Sequence, residues 1–337
     1  MAADANRASL VAVLARLGVT SPGDRPVIEP LVGGISSEIF RVELPSGVVC
    51  AKRARERLQV AEDWRAPVAR NAFEAQWLRT VGEIAPGRVP AVLAEDRAAG
   101  LFVMDYFPAD SHPVWKTQLG SGRIDATTAK DLGRLLAMIH GRTADDPRIE
   151  ALFARATDLF FALRLDPYFL STARVHPQCA DRLHELSART AGVRRVLIHG
   201  DFSPKNILVG PDGPVLLDAE ACCFGDPAFD LAFCLNHLLL KCVWHRHWRD
   251  DYLACFDAFK SAYLDRVTWE SGDAVEARAA TLLPALLLAR VDGKSPVEYL
   301  TDEAQRAMVR STALDLLRQG QDRLSAVRDI WAAVSAT

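Results

Sequence analysis

The chain has seven cysteines in 337 residues, an odd number with no CxxC pair among them. A disulfide framework and a zinc site are both excluded on that pattern, and a reducing cytoplasm is expected. There is no excess of basic charge. The formal net charge of −3 excludes a nucleic-acid binder built on a strong positive field. The first ten residues, MAADANRASL, lack the basic-then-apolar pattern of a secretory leader. The apolar run at residues 231–240 is broken by Asn236 and His237 and is too short to span a bilayer, so no membrane partner is expected. Internal repeats and low-complexity segments are also lacking. What remains is an ordinary globular composition, half hydrophobic and a quarter charged, long enough for one large domain or two modest ones. Nothing in it sets an oligomeric state.

The front of the chain reads as strands around one helix. Residues 5–17 have the apolar spacing of a short amphipathic helix, and residues 27–31 form a short apolar run. Residues 38–44 alternate, with Ile39, Phe40, Val42 and Leu44 apolar against Glu38, Arg41 and Glu43. Pro45-Ser46-Gly47 signals a turn into a second strand over residues 48–52, which makes a hairpin. A helix follows over residues 67–81, then strands at 89–93 and 101–106, and Pro108 ends regular structure. The rest is mostly helical, with candidates at 127–140, 178–190, 227–241, 248–263, 274–290 and 302–317. The fold class expected is α+β. A strand-rich N-terminal lobe covers 1–106, and a mainly helical C-terminal lobe covers 107–337.

The chemistry is concentrated in residues 198–220. Apolar runs at 196–198, 207–209 and 215–217 flank a polar loop carrying Asp201 and Asn206, and Asp218 stands where the last run ends. Three oxygen-bearing side chains are thus drawn to one small region. Phosphoryl transfer needs such a set: one carboxylate to orient the acceptor hydroxyl, and oxygen ligands to hold magnesium against nucleotide phosphates. Asp201 suits the first task, Asn206 and Asp218 the second, and Glu220 a second metal.

HGDFSPKN followed by LLDAE resembles the catalytic loop and metal site of the aminoglycoside phosphotransferase and choline kinase superfamily, relatives of the protein kinases. Asp201, Asn206 and Asp218 match that pattern residue by residue, and the order HGDxxxxN, apolar hairpin, DxE, GDPxxD is far more specific than any one piece. The resemblance implies a bilobal, protein-kinase-like fold and a small-molecule kinase using ATP, with GTP as the alternative nucleotide, and Mg2+. It makes Lys52 the phosphate lysine and Glu74 its helix partner. It makes Gly33, Gly34 and Ser36 the nucleotide loop, although that loop has neither GxGxxG nor a Walker lysine. Adenine is expected at the backbone around Met104 and Tyr106. Asp230, in the GDPxxD segment, is expected to brace the catalytic loop from a buried helix. His199 is assigned a structural part, and Lys205 is read as a solvated loop lysine, with contact to the transferred phosphate as the alternative.

The acceptor is a small hydroxylated molecule. DxE is similar to the methylthioribose kinase branch, which favours a sugar or thiosugar. From residue 231 to 337 there are 14 acidic and 13 basic residues, a balance that does not suit a polycationic aminoglycoside. An amino alcohol such as choline would want an aromatic cage. Trp244, Trp248 and Tyr252 share one helical stripe, which core packing also explains. Arg290 and Lys294, in a polar turn after an apolar helix, are candidate substrate residues, with a helix C-cap as the alternative. An aminoglycoside or other antibiotic, and then choline or another amino alcohol, stand as the alternative acceptors, and a non-catalytic nucleotide-binding protein as the alternative to a kinase.

Overall fold

A computed structural model describes residues 2–31, 37–55 and 70–335. The chain divides into two compact units, Met1–Ser111 and His112–Thr337.

The first unit is an antiparallel sheet in the order β1-β2-β3-β5-β4 with two helices. In chain order these are α1 (Ala2–Arg16), β1 (Val27–Pro30), β2 (Ser37–Leu44), β3 (Gly47–Ala54), α2 (Arg70–Ile84), β4 (Val92–Asp96) and β5 (Leu101–Asp105). The β2–β3 hairpin closes with Leu44 opposite Gly47, around Pro45 and Ser46. Alternation puts Val42, Leu44, Ala51, Leu101 and Val103 on one face, where Leu10, Val13 and Leu14 of α1 cover them. Each large aliphatic buried there contributes about 1.5–3 kcal/mol. β4 starts at Val92, later than the apolar run beginning at Val89, because Pro90 has no N–H to give to a ladder.

The second unit is helical, with two short two-stranded sheets among the described residues. It runs α3 (Trp115–Gly120), α4 (Ala126–Thr143), α5 (Pro147–Leu152), α6 (Ala156–Phe160), a π-helical stretch Phe161–Leu170, α7 (Ser171–Val175) and α8 (Ala180–Gly192). Then come β6 (Val196–Ile198), β7 (Ile207–Gly210), β8 (Gly213–Leu216), β9 (Cys223–Gly225), α9 (Pro227–Trp244), α10 (Arg249–Leu264), α11 (Gly272–Asp292), α12 (Glu303–Gln319) and α13 (Leu324–Val334). β6 pairs with β9 and β7 with β8. Asp125 caps α4 and Asp226 caps α9, each accepting from backbone N–H groups of the first turn. The apolar face of α4, with Leu132, Leu135, Leu136 and Ile139 buried, packs on α10. α9 is buried on every side from Pro227 to Val243, which makes it the central helix of this unit.

The aromatic stripe read from the sequence is not one helix face. α9 ends at Trp244, residues Arg246–Trp248 form a 3-10 turn, and α10 begins at Arg249. Trp244 packs toward Gly120 and Trp248 toward Gly122, while the Tyr252 hydroxyl donates to the Leu119 carbonyl at 2.8 Å. The helical run between residues 147 and 175 was not evident in the sequence, since Pro167 sits inside it and its π-turns break the usual period. Among the described residues no helix is long and apolar enough to cross a membrane.

Candidate active site

β6 delivers the chain into His199-Gly200-Asp201. Gly200 has φ +75°, and a Cβ there would lie 2.1 Å from the Ala221 carbonyl oxygen, so the turn admits only glycine. Asp230, fully buried on the first turns of α9, holds the loop from below. Its carboxylate accepts from the backbone N–H of His199 at 2.6 Å and of Gly200 at 2.9 Å. His199 ties the loop sideways. Its Nδ1 accepts from the Asp201 N–H at 3.2 Å, which leaves Nε2 to donate to the Leu217 carbonyl at 3.0 Å. Burial pushes the His199 pKa below its ordinary value, and a neutral ring suits both bonds.

Asp201 is 3 % exposed. Its Oδ2 lies 3.0 Å from Arg164 Nη2 and 2.9 Å from Lys205 Nζ. Burial alone would raise the Asp201 pKa. Lys205 and Arg164 outweigh it and hold the carboxyl well below the usual carboxylate range. Lys205 is therefore an ion-pair partner of Asp201 and not merely a solvated loop lysine. Arg164 comes from the π-helical stretch. It is fixed by donating Nε to the Gly200 carbonyl at 2.6 Å and Nη1 to the Leu163 carbonyl at 2.7 Å. Sequence reasoning passed over Arg164, because nothing in its surroundings has a motif or a period.

Arg164→Met should therefore lower phosphate transfer by about a hundredfold through misplacement of Asp201. It should also move the acid limb of the pH–rate profile to higher pH. The sign follows from the offset: without one of the two cations, burial dominates more and the Asp201 pKa rises. Arg164→Lys should restore part of both. An unmoved acid limb in Arg164→Met would count against the pairing.

Asn206 lies in the 3-10 turn after the loop and donates Nδ2 to the Asp201 carbonyl at 3.0 Å. That fixes the amide and turns its Oδ1 into an available acceptor. The Asn206 carbonyl in turn accepts from the Leu217 N–H at 2.9 Å, which brings Asp218 alongside. Asp218 holds φ +64°, a left-handed conformation that costs free energy in a residue other than glycine and clusters at functional sites. Glu220 is buried two residues on. Burial alone would lower the Arg164 pKa. The carboxylates of Asp201, Glu220 and Asp218, with Tyr168, outweigh it, so these groups share one electrostatic neighbourhood. Among the described residues no three His, Cys, Asp or Glu side chains converge as a cage. An amide and one or two carboxylates, all hard oxygen donors, are nevertheless the set magnesium takes when phosphates and water complete its shell.

In the first unit Lys52, at 2 % exposure on β3, pairs with Glu74 of α2 at 2.7 Å. Asn71 Nδ2, one turn earlier on α2, donates to the Lys52 carbonyl at 3.2 Å and the Gly100 carbonyl at 2.6 Å, pinning helix to sheet. Gly33, Gly34 and Ser36 lie outside the described residues. Met104 is buried on β5 opposite Cys50, and Tyr106 follows the strand with Arg41 over its ring. In the second unit Arg290 ends α11, and its Nη1 donates to the Tyr168 hydroxyl at 3.0 Å and to Ser295 Oγ at 3.2 Å. Lys294 is half-buried, and its backbone N–H donates to the Pro167 carbonyl at 3.1 Å.

The model of the phosphotransferase enzyme family matches residues 27–275. A methylthioribose kinase from Erwinia tasmaniensis is 26 % identical over 254 residues, 66 % of this chain and 62 % of its own length. One from Geobacillus kaustophilus is 24 % identical over 312 residues, covering 82 % of this chain and 76 % of that one. The chain thus spans less than two thirds of the first of these relatives. The ethanolamine kinase of Plasmodium vivax has the same fold, with a TM-score of 0.53 at 13 % identity over 88 % of this chain and 84 % of that one. With the family model spanning both units and the whole HGD-to-GDPxxD segment, the chain belongs to the phosphotransferase enzyme family.

Proposed function

We propose that this chain transfers the terminal phosphate of ATP to a hydroxyl of a small molecule. The observation that carries the reading is the buried Asp201 carboxylate, clamped by two cations in a loop whose next side chains are the oxygen donors Asn206 and Asp218. Asp201 receives the acceptor hydroxyl. A carboxyl held so far below the usual range is a weak base, so its main part is to orient the oxygen, with the proton passing late. The bond from the acceptor oxygen to phosphorus forms as the bond to ADP breaks, and the acceptor proton leaves through Asp201 to water. Asn206 and Asp218 are assigned the metal, with Glu220 as a further donor. Magnesium, when bound, neutralises charge on the phosphates. Lys52, oriented by Glu74, is assigned to the nucleotide phosphates, and backbone near Met104 and Tyr106 to adenine. Lys205, half-exposed beside Asp201, is placed to meet charge on the transferred group.

A sugar or thiosugar is the favoured acceptor class. The methylthioribose kinases among its relatives and the DxE motif at Asp218 and Glu220 support it. A reducing cytoplasm suits the free thiols. The test is ADP release with Mg2+ and either ATP or GTP, run against sugars, methylthioribose, aminoglycosides and amino alcohols. Acceptor-dependent release with a sugar-like member is the expected result. Preference for an aminoglycoside or an amino alcohol would replace the acceptor class. Nucleotide binding without transfer to any acceptor would point to the non-catalytic alternative.

A further inference from the structure

The C-terminal half of α9 carries two buried titratable groups that the catalytic loop does not use. His237 and Lys241 stand four residues apart on one face. Lys241 is 1 % exposed. Its Nζ lies 4.4 Å from the Tyr299 ring centroid and 5.1 Å from that of Trp244. Among the described residues it has no hydrogen-bond or ion-pair partner. The carboxylate in its neighbourhood, Glu298, is already paired with Lys116.

Donors without partners collect around it. The Tyr299 hydroxyl and Arg290 Nε are buried and unsatisfied. Arg290 lies over the Tyr168 ring, Tyr168 packs on Phe233, and Phe233 on His237, which links the end of α11 to the same face of α9. His237 reports the local charge. Burial pushes its pKa down, and Arg290, Lys241, Lys205 and Lys116 all push in the same direction. Lys205, the residue paired with Asp201, is among the charges that His237 feels.

Burial, and then Lys116, push the Lys241 pKa down to about 7, so without an anion beside it this lysine gives up its charge near neutral pH. Unsatisfied buried donors are costly as well. An anion entering here would hold Lys241 in its charged form and accept from the Tyr299 hydroxyl and Arg290 Nε. We propose that the acceptor is an anionic alcohol: a small molecule whose carboxylate or phosphate pairs with Lys241, with Arg290 and Tyr299 as further donors, while its hydroxyl meets Asp201. This rests on the kinase reading and narrows it from neutral sugars to sugar acids or sugar phosphates. It also disfavours aminoglycosides and amino alcohols, whose cations would face the cluster with like charge.

Binding measured without turnover separates this proposal from the kinase reading. The full chain, saturated with Mg2+ and ADP, is titrated by calorimetry with ribose, ribonate, ribose 5-phosphate and glucosamine. At least one of the two anions should bind about tenfold more tightly than ribose, the scale of one charge-assisted hydrogen bond, with glucosamine the weakest. The carboxylate and phosphate arms identify which oxyanion is taken. Lys241→Met should bring anion binding to within about twofold of ribose, and Lys241→Arg should keep most of it. A cooperative melting transition at or above the wild-type temperature, with unchanged ADP affinity, shows in both variants that the fold survives. Equal or better binding of ribose or glucosamine, an anion preference that survives Lys241→Met, or no binding of any probe would each overturn the proposal. ADP affinity in the same titrations bears on the kinase reading alone.

Discussion

Asp201→Asn is expected to cut phosphate transfer by about a thousandfold or more, within the range removed with a positioned proton acceptor, while ADP binds as before. The side chains are nearly the same size, so the loop keeps its path, which the Gly200 turn and the bonds from Asp230 set. What changes is charge. Arg164 and Lys205 lose their shared carboxylate and repel one another, and the acceptor hydroxyl loses its strongest acceptor. Some loss of melting temperature accompanies this, because two cations are left facing a neutral amide in a buried place. Initial rates of ADP release and calorimetric ADP affinity, measured on the same preparation, separate chemistry from nucleotide binding. Wild-type turnover in the variant would remove Asp201 from the mechanism, and with it the reading of the loop.

Asp230→Ala should be the most damaging single change outside the reacting atoms, destabilising the chain by about 3–5 kcal/mol and abolishing transfer. Asp230 is fully buried, and its two oxygens hold the N–H groups of His199 and Gly200. Hydrogen bonds to a buried charged group contribute about 1.5–3 kcal/mol each, and alanine leaves both donors without a partner. His140 Nε2, 3.5 Å from Asp230 Oδ2, loses its neighbour as well. Asp230→Asn keeps one acceptor and turns an amide N–H toward the other donor, so it should fall between wild type and alanine. Urea unfolding midpoints read the stability, and ADP release reads the loop. An alanine variant as stable as wild type would mean that the loop is held by something other than α9.

Much of the site was legible before any coordinates. The order of HGDxxxxN, hairpin and DxE places Asp201, Asn206 and Asp218 within one stretch of chain, and β7 and β8 are too short to carry them apart. The hairpin of β2 and β3 followed from alternation and the Pro45-Ser46-Gly47 turn, and the buried face of α4 followed from its apolar spacing. Arg164 was not legible, since it reaches Asp201 across 37 positions from a π-helical stretch with a proline inside. Nor was the unpaired state of Lys241, which depends on which neighbours its side chain meets. The stripe of Trp244, Trp248 and Tyr252 misled because a spacing of four is helical only if the helix continues, and this one stops at Trp244.

The sequence by itself determined local matters: the β2–β3 hairpin, most of the long helices, and the residue types on the loop to which the chemistry is assigned. Those follow from short-range sterics, side-chain period and motif spacing, which act within a few residues. Only the tertiary structure decided which charges are paired and which are left over. Arg164 and Lys205 converge on one carboxylate, Glu298 is taken by Lys116, and Lys241 lies against two aromatic rings with no ion-pair partner among the described residues. Ion pairing and desolvation are set by distances between side chains remote in the chain, and packing alone creates those distances.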